Sequence, residues 1–160
     1  SVAAEGRQDN GLCLIIGMEY TTSEGDFLLF GPFEDLRPGL AAPELLRLVN
    51  ERGGAAVAAH PFRQGRKTRE YLVRDGLCNI VEGLNGRNRQ EENRRTAAWR
   101  DHYAVGLIGG SDAHSAVELG RSTTTFHMPI QNSTDMVKAL KSGEFTMSGT
   151  LNQRKKSKSK

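Results

Sequence analysis

Short continuous apolar runs, each followed within a few residues by a carboxylate or an imidazole, recur along this chain and constrain its fold more than any other feature. Residues 12–16 (LCLII) precede Glu19, and 55–59 (AAVAA) run directly into His60-Pro61. Residues 78–81 (CNIV) lead to Glu82 and Asn85, and 105–110 (VGLIGG) open onto Ser111-Asp112-Ala113-His114. A further run, 27–30 (FLLF), follows the turn-rich TTSEGD, so that the first run and this one read as two strands with a connecting loop. Between these runs lie amphipathic stretches. Residues 43–54 (PELLRLVNERGG) start on Pro43 and stop on Gly53-Gly54, as a helix does. Residues 68–75 predict a short helix, 89–103 a charged surface helix, and 132–141 a helix capped at Ser133/Thr134. Residues 122–126 (STTTF) and 145–147 predict strands. Apolar strands alternating with helices predict an α/β fold with largely parallel pairing, since continuous apolar runs suit strands covered on both faces.

At 160 residues the chain suits one domain. Apolar residues make up 37% and charged residues 26% of the sequence, too many large apolar side chains for a disordered polymer. No run approaches the ~20 residues of a membrane helix, and the first ten residues lack the apolar stretch of a secretory signal. A cytoplasmic protein without membrane contact is expected. Cys13 and Cys78 have no Cys-x-x-Cys or Cys/His spacing, which predicts reduced core residues. The net charge of +3 is a property of the last ten residues (LNQRKKSKSK). Without their five basic side chains, 17 Lys and Arg remain against 19 Asp and Glu, so the body is slightly acidic. Two units follow: a domain over 1–150 and a basic disordered tail over 151–160. A nucleic-acid partner rests on that tail alone and is the least favoured class.

In a parallel α/β sheet the positions after the strands lie at the carboxyl edge, where active sites are built. Glu19, His60, Asp112 and His114 would thus share one rim. Asp112 and His114 are two apart, a spacing that in extended backbone puts both on one face. Ligand bonds of about 2.0–2.2 Å would let them share an ion. Each residue alone also fits a plainer role. Glu19 could be an exposed acid, His60 a core histidine, Asp112 a helix cap and His114 a surface residue. Glu82 fits a core-edge acid and Asn85 a turn residue or weak oxygen ligand. Arg63 could bind a phosphate oxygen, or belong to a solvated charge run with Arg66, Lys67 and Arg69.

Four blocks, IIGMEYTTSEGDFLLFG, AAHPFR, IVEGLNGRN with Asn93, and GGSDAHSAVELGRSTTTF, resemble successive blocks of the polymerase and histidinol phosphatase (PHP) superfamily. The likeness to its small metal-dependent phosphoesterases covers roughly residues 10–148. It implies a distorted (β/α)7 barrel, a cluster of two or three zinc, manganese, iron or magnesium ions, and hydrolysis of phosphate esters. The implied roles are a bridging carboxylate for Glu19 and metal ligands for His60, Asp112 and His114; Arg63 is a candidate for orienting substrate from its place three residues past His60. The implied substrate is a phosphorylated small molecule or a nucleotide.

The family's opening His-x-His strand and the Asp-His strand after it have no counterpart, since no histidine precedes His60. The expected fold is therefore an incomplete barrel lacking its first βα units, the carboxyl-terminal two-thirds of such an enzyme. An incomplete barrel leaves a sheet edge open, and self-association through that edge is expected. So is weaker metal binding. The function expected is a truncated metal-dependent phosphoesterase, with a catalytically silent PHP-like binding module as the alternative.

Overall fold

The first apolar run does not form the five-residue strand that its composition predicts. In the computed structural model, which describes residues 4–33 and 35–149, β1 (Gly6–Arg7) and β2 (Cys13–Leu14) make only a two-residue antiparallel ladder. Leu12 and Ile16 are exposed. An apolar run becomes a buried strand only where a partner strand and a covering layer meet it; this stretch finds a partner over two residues only, and Leu12 and Ile16 stay uncovered. Cys13 is half-buried and Cys78 buried, and both thiols are free.

The remaining runs line up. β3 (Met18–Thr22), β4 (Gly25–Phe30), β5 (Ala55–Ala59), β6 (Ile80–Asn85) and β7 (Gly106–Gly110) form one sheet in that order. Only β5–β6 and β6–β7 are parallel; β3–β4 and β4–β5 are antiparallel. This corrects the expectation of largely parallel pairing. Two residues join β3 to β4, and a parallel connection needs a dozen or more. The turn is tight because Gly25 adopts φ +142° with Thr68 packed where a side chain would project.

Period-two alternation gives the sheet two faces. One face, with Tyr20, Phe27, Leu29, Ala58 and Val81, packs against α1 (Ala42–Glu51), α2 (Tyr71–Arg74) and α3 (Gln90–Tyr103). Leu45, Leu46, Val49, Leu72 and Trp99 fill that interface. Each fully buried large side chain there contributes roughly 1.5–3 kcal/mol. Helix α3 is closed at its start by Glu92, whose carboxylate accepts the Arg89 N–H at 2.8 Å.

On the other face, Leu28, Phe30, Ala55, Val57, Ile80 and Ile108 meet Val137 and Leu140 of α4 (Ser133–Ser142), and Phe126 and Phe145. Those phenylalanines belong to the antiparallel hairpin of β8 (Ser122–Phe126) and β9 (Phe145–Gly149). The Thr124 hydroxyl ties β8 to the Gly109 N–H and C=O of β7. Further along this same face stand Asp26, two residues before Leu28, Glu82, two after Ile80, and Gly110, two after Ile108. The face thus passes from apolar to charged along its strands.

The architecture is mixed α/β with a five-stranded mixed sheet. The sheet does not close into a barrel among the described residues, and β3 has β4 as its one strand neighbour. No described helix is long and apolar enough to cross a membrane. The basic tail expected at 151–160 lies outside the described residues.

Candidate metal centre

His60 follows β5 directly and takes φ +30°, an unfavourable conformation for a residue with a β-carbon. Such strain persists only where surroundings impose it, and it gathers at functional sites. The bend aims Nε2 at two carboxylates, 3.4 Å from Glu19 Oε1 and 3.6 Å from Asp26 Oδ2. Glu19, Asp26 and His60 each offer a ligand atom within 4.8 Å of the others. Asp26 is 1% exposed; its Oδ2 accepts no well-directed hydrogen bond and has the Arg66 guanidinium Nε 3.0 Å away. The other ring nitrogen of His60, Nδ1, is buried without a partner and does not face this cluster. Buried polar atoms are normally satisfied, because leaving one bare costs on the order of 1–3 kcal/mol. Donor separations near 3.4 Å are about those of a tetrahedral ion with ~2.1 Å bonds. A divalent cation therefore fits this donor set. Glu19, half-exposed, opens it to solvent.

Asp26 was not among the sequence candidates. Its register explains why: Asp26 pairs with Ala59 on one side and Thr21 on the other, so the antiparallel β4 delivers it beside His60. A parallel reading would send it elsewhere. The only local signal was an acid at the head of an apolar run.

Next to this cluster lies a polar chain of contacts. Glu82 Oε2 accepts the His60 N–H at 2.8 Å and the Asn85 Nδ2 at 2.9 Å. Burial pushes the Glu82 carboxyl up to about 7, against the lowering effect of those two donors. Asn85 donates also to Asp112 Oδ2 at 3.3 Å, while its Oδ1 accepts from Arg63 and from the Arg87 and Asn88 N–H groups. It is the turn residue of the two roles weighed for it, and a bridge besides. Asp112 takes φ +50°. Burial pushes its carboxyl upward, but the Arg63 and Asn85 hydrogen bonds and the Arg63 charge outweigh that and hold it below the usual range.

Glu19 and His60 thus meet directly, and Asp112 joins them through Asn85 and Glu82. His114 sits at the exposed rim, its Nδ1 3.0 Å from the Asp112 carbonyl and 3.7 Å from Asp112 Oδ1. Glu118, unremarked in the sequence, braces this turn by accepting the His114 N–H at 2.7 Å. That hydrogen bond, with Arg87 and Arg121 nearby, holds the Glu118 carboxyl below its usual range. Arg63 donates to Asp112, Asn85 and Asn88, so most of its hydrogen-bonding capacity is directed inward.

The chain is similar to known proteins in sequence and in fold. Residues 90–145, which include Asp112 and His114, match the family model described as PHP-associated. Over 123 residues, 70% of the chain, the sequence is 29% identical to the uncharacterized protein MJ0417 of Methanocaldococcus jannaschii and covers 51% of it. It is 36% identical to MJ1587 of the same organism over 79 residues, 49% of the chain and 46% of that protein. The chain therefore spans about half the length of the curated relatives it matches. In structure it resembles PsfC from Pseudomonas syringae with a TM-score of 0.68 at 23% identity, over 84% of this chain and 59% of that one.

Proposed function

We propose that this chain, which carries a PHP-superfamily carboxyl-terminal region, is the metal-holding part of a phosphoesterase that hydrolyses phosphate esters with metal-activated water. The observation that carries this reading is the convergence of Glu19, Asp26 and His60, whose ligand atoms lie within 4.8 Å of one another, with the buried Asp26 Oδ2 accepting no well-directed hydrogen bond. Those three residues would hold the cation. A bound zinc, manganese, iron or magnesium ion supplies Lewis acidity and lowers the pKa of its water toward neutrality.

The chain's own residues do the rest. Glu82 fixes the strained backbone of His60 and thereby the direction of its ring. Asp112 and His114 stand beyond it as further donors, a role that the PHP resemblance supports. Arg63 orients a phosphoryl group: its Nη1 has no hydrogen bond among the described residues, while Nε and Nη2 anchor it. A planar guanidinium held this way presents a fixed donor to a phosphate oxygen. The substrate is a phosphorylated small molecule or a nucleotide.

The test is hydrolysis of p-nitrophenyl phosphate with added manganese or zinc. Metal-dependent turnover that Asp112→Ala and His60→Ala abolish supports the reading. A folded protein inactive with every metal overturns it in favour of a second one. That second reading, a catalytically silent binding module, is favoured by one observation: Asp112 Oδ2, expected to hold metal, is taken by Arg63 Nη2 at 2.6 Å.

A further inference from the structure

We infer that Arg66 is the resident counter-cation of the Asp26 carboxylate and leaves it when a divalent cation binds. The inference rests on the metal-holding role proposed for Glu19, Asp26 and His60.

Asp26 is an acid almost wholly withdrawn from water, and an ionised carboxylate there is costly without a charge beside it. That charge is Arg66, whose Nε lies 3.0 Å from Asp26 Oδ2. The pairing is close but poorly directed, because Oδ2 still accepts no well-formed hydrogen bond. The same oxygen faces His60 Nε2 at 3.6 Å. One atom therefore confronts two alternatives, a guanidinium from one side and the ion-sized gap among three ligand atoms on the other. A monovalent and a divalent cation this close repel one another strongly, so occupancy by the second weakens the first.

Arg66 is built to leave. Its side chain is 49% exposed, and its other contact is a marginal 3.3 Å hydrogen bond to the Thr21 hydroxyl. It stands on a turn that follows Gly65, at φ +83°. Arg63, three residues earlier on the same loop, is its opposite. Arg63 is held by Asp112, Asn85 and Asn88, and its side chain is 23% exposed. The loop thus carries one fixed guanidinium and one exchangeable one. The exchange keeps a cation beside Asp26 Oδ2 in both states.

The experiment measures zinc affinity by competition with a chromophoric chelator, for the wild type, Arg66→Ala, Arg66→Gln and Arg66→Lys, with circular dichroism to confirm folding. Removing the competing cation tightens zinc binding by about 5- to 50-fold in Arg66→Ala and Arg66→Gln, the range of ordinary coupling between ligands. Arg66→Lys, which keeps a positive charge, stays within about threefold of wild type. Guanidinium ion at a few tens of millimolar then weakens zinc binding by Arg66→Ala and leaves the wild type unmoved, a rescue that a structural role would not produce. Folded Ala and Gln variants that bind zinc no tighter than wild type overturn the exchange while the metal site stands. If neither wild type nor variant binds zinc or manganese, the metal-holding reading fails and the exchange with it.

Discussion

Arg63 Nη2 lies 2.6 Å from Asp112 Oδ2, joining two residues 49 positions apart at the charged end of the sheet. The pair steadies a residue in the left-handed region and occupies an oxygen that the sequence offered as a metal ligand. Asp112 and its neighbours are therefore balanced by protein charge, whereas the Glu19–Asp26–His60 cluster leans on a half-exposed arginine. Asp112 is the steadier carboxylate and Asp26 the more demanding one.

Replacing Arg63 by Met leaves Asp112 and Asn85 short of a donor. Because the pair is partly exposed, the expected cost is about 1–2 kcal/mol in urea unfolding at pH 7. Asp112 has a lowered pKa, so its stabilisation exists above the unfolded value and fades as pH falls. The difference between wild type and Arg63→Met should therefore shrink below about pH 4. A difference that stays constant down to pH 3 contradicts the assignment.

Glu82 titrates in the opposite sense. Its folded carboxyl is raised to about 7, so the folded state binds the proton more tightly than the unfolded one. Stability from this group is fully present below the unfolded value near 4.5 and is lost as pH rises through about 7. Glu82→Gln removes that loss. In metal-free buffer, the stability of the variant relative to wild type should rise by up to about 3 kcal/mol between pH 4.5 and pH 8. A flat difference across that interval would show that Glu82 is ionised throughout.

Metal addition should stabilise the fold. At a free zinc concentration of 100 times the dissociation constant the gain is about 2.7 kcal/mol, or roughly 5–10 °C in Tm for a domain of this size. Asp26→Asn should show no zinc-dependent shift by differential scanning fluorimetry. Equal shifts in both proteins place the metal away from Asp26.

Gly110 is the last residue of β7, and a β-carbon there would run into Glu82 Oε1. Gly110→Ala must push that carboxylate aside and disturb its bonds to His60 and Asn85. A loss of about 1–3 kcal/mol is expected in chemical unfolding, with zinc affinity falling as His60 loses its backbone anchor. A variant as stable as wild type would mean that Glu82 moves freely.

Much of the fold was legible along the chain. The run AAVAA before His60-Pro61, the helix opened by Pro43 and stopped at Gly53, and the Gly109-Gly110 approach to Asp112 all stand where local pattern put them. Local pattern works there because burial and backbone preference act over a few residues. It failed at 12–16, where an apolar run finds a partner over two residues only, and at 18–22, where β3 forms from residues without an apolar run.

What the sequence alone determined is most of the succession of elements and the placing of His60, Asp112 and His114 after apolar strands, whereas Glu19, expected after the first, lies inside β3 opposite Leu28. Tertiary structure decided which of them meet. The antiparallel register of β4 carries Asp26 to His60, and the loop after β5 sets Arg63 on Asp112 and Arg66 on Asp26. Pairing across strands depends on direction and register, which are settled by contacts between residues far apart in the chain. A ligand set is a property of that pairing, and no window of neighbouring residues contains it.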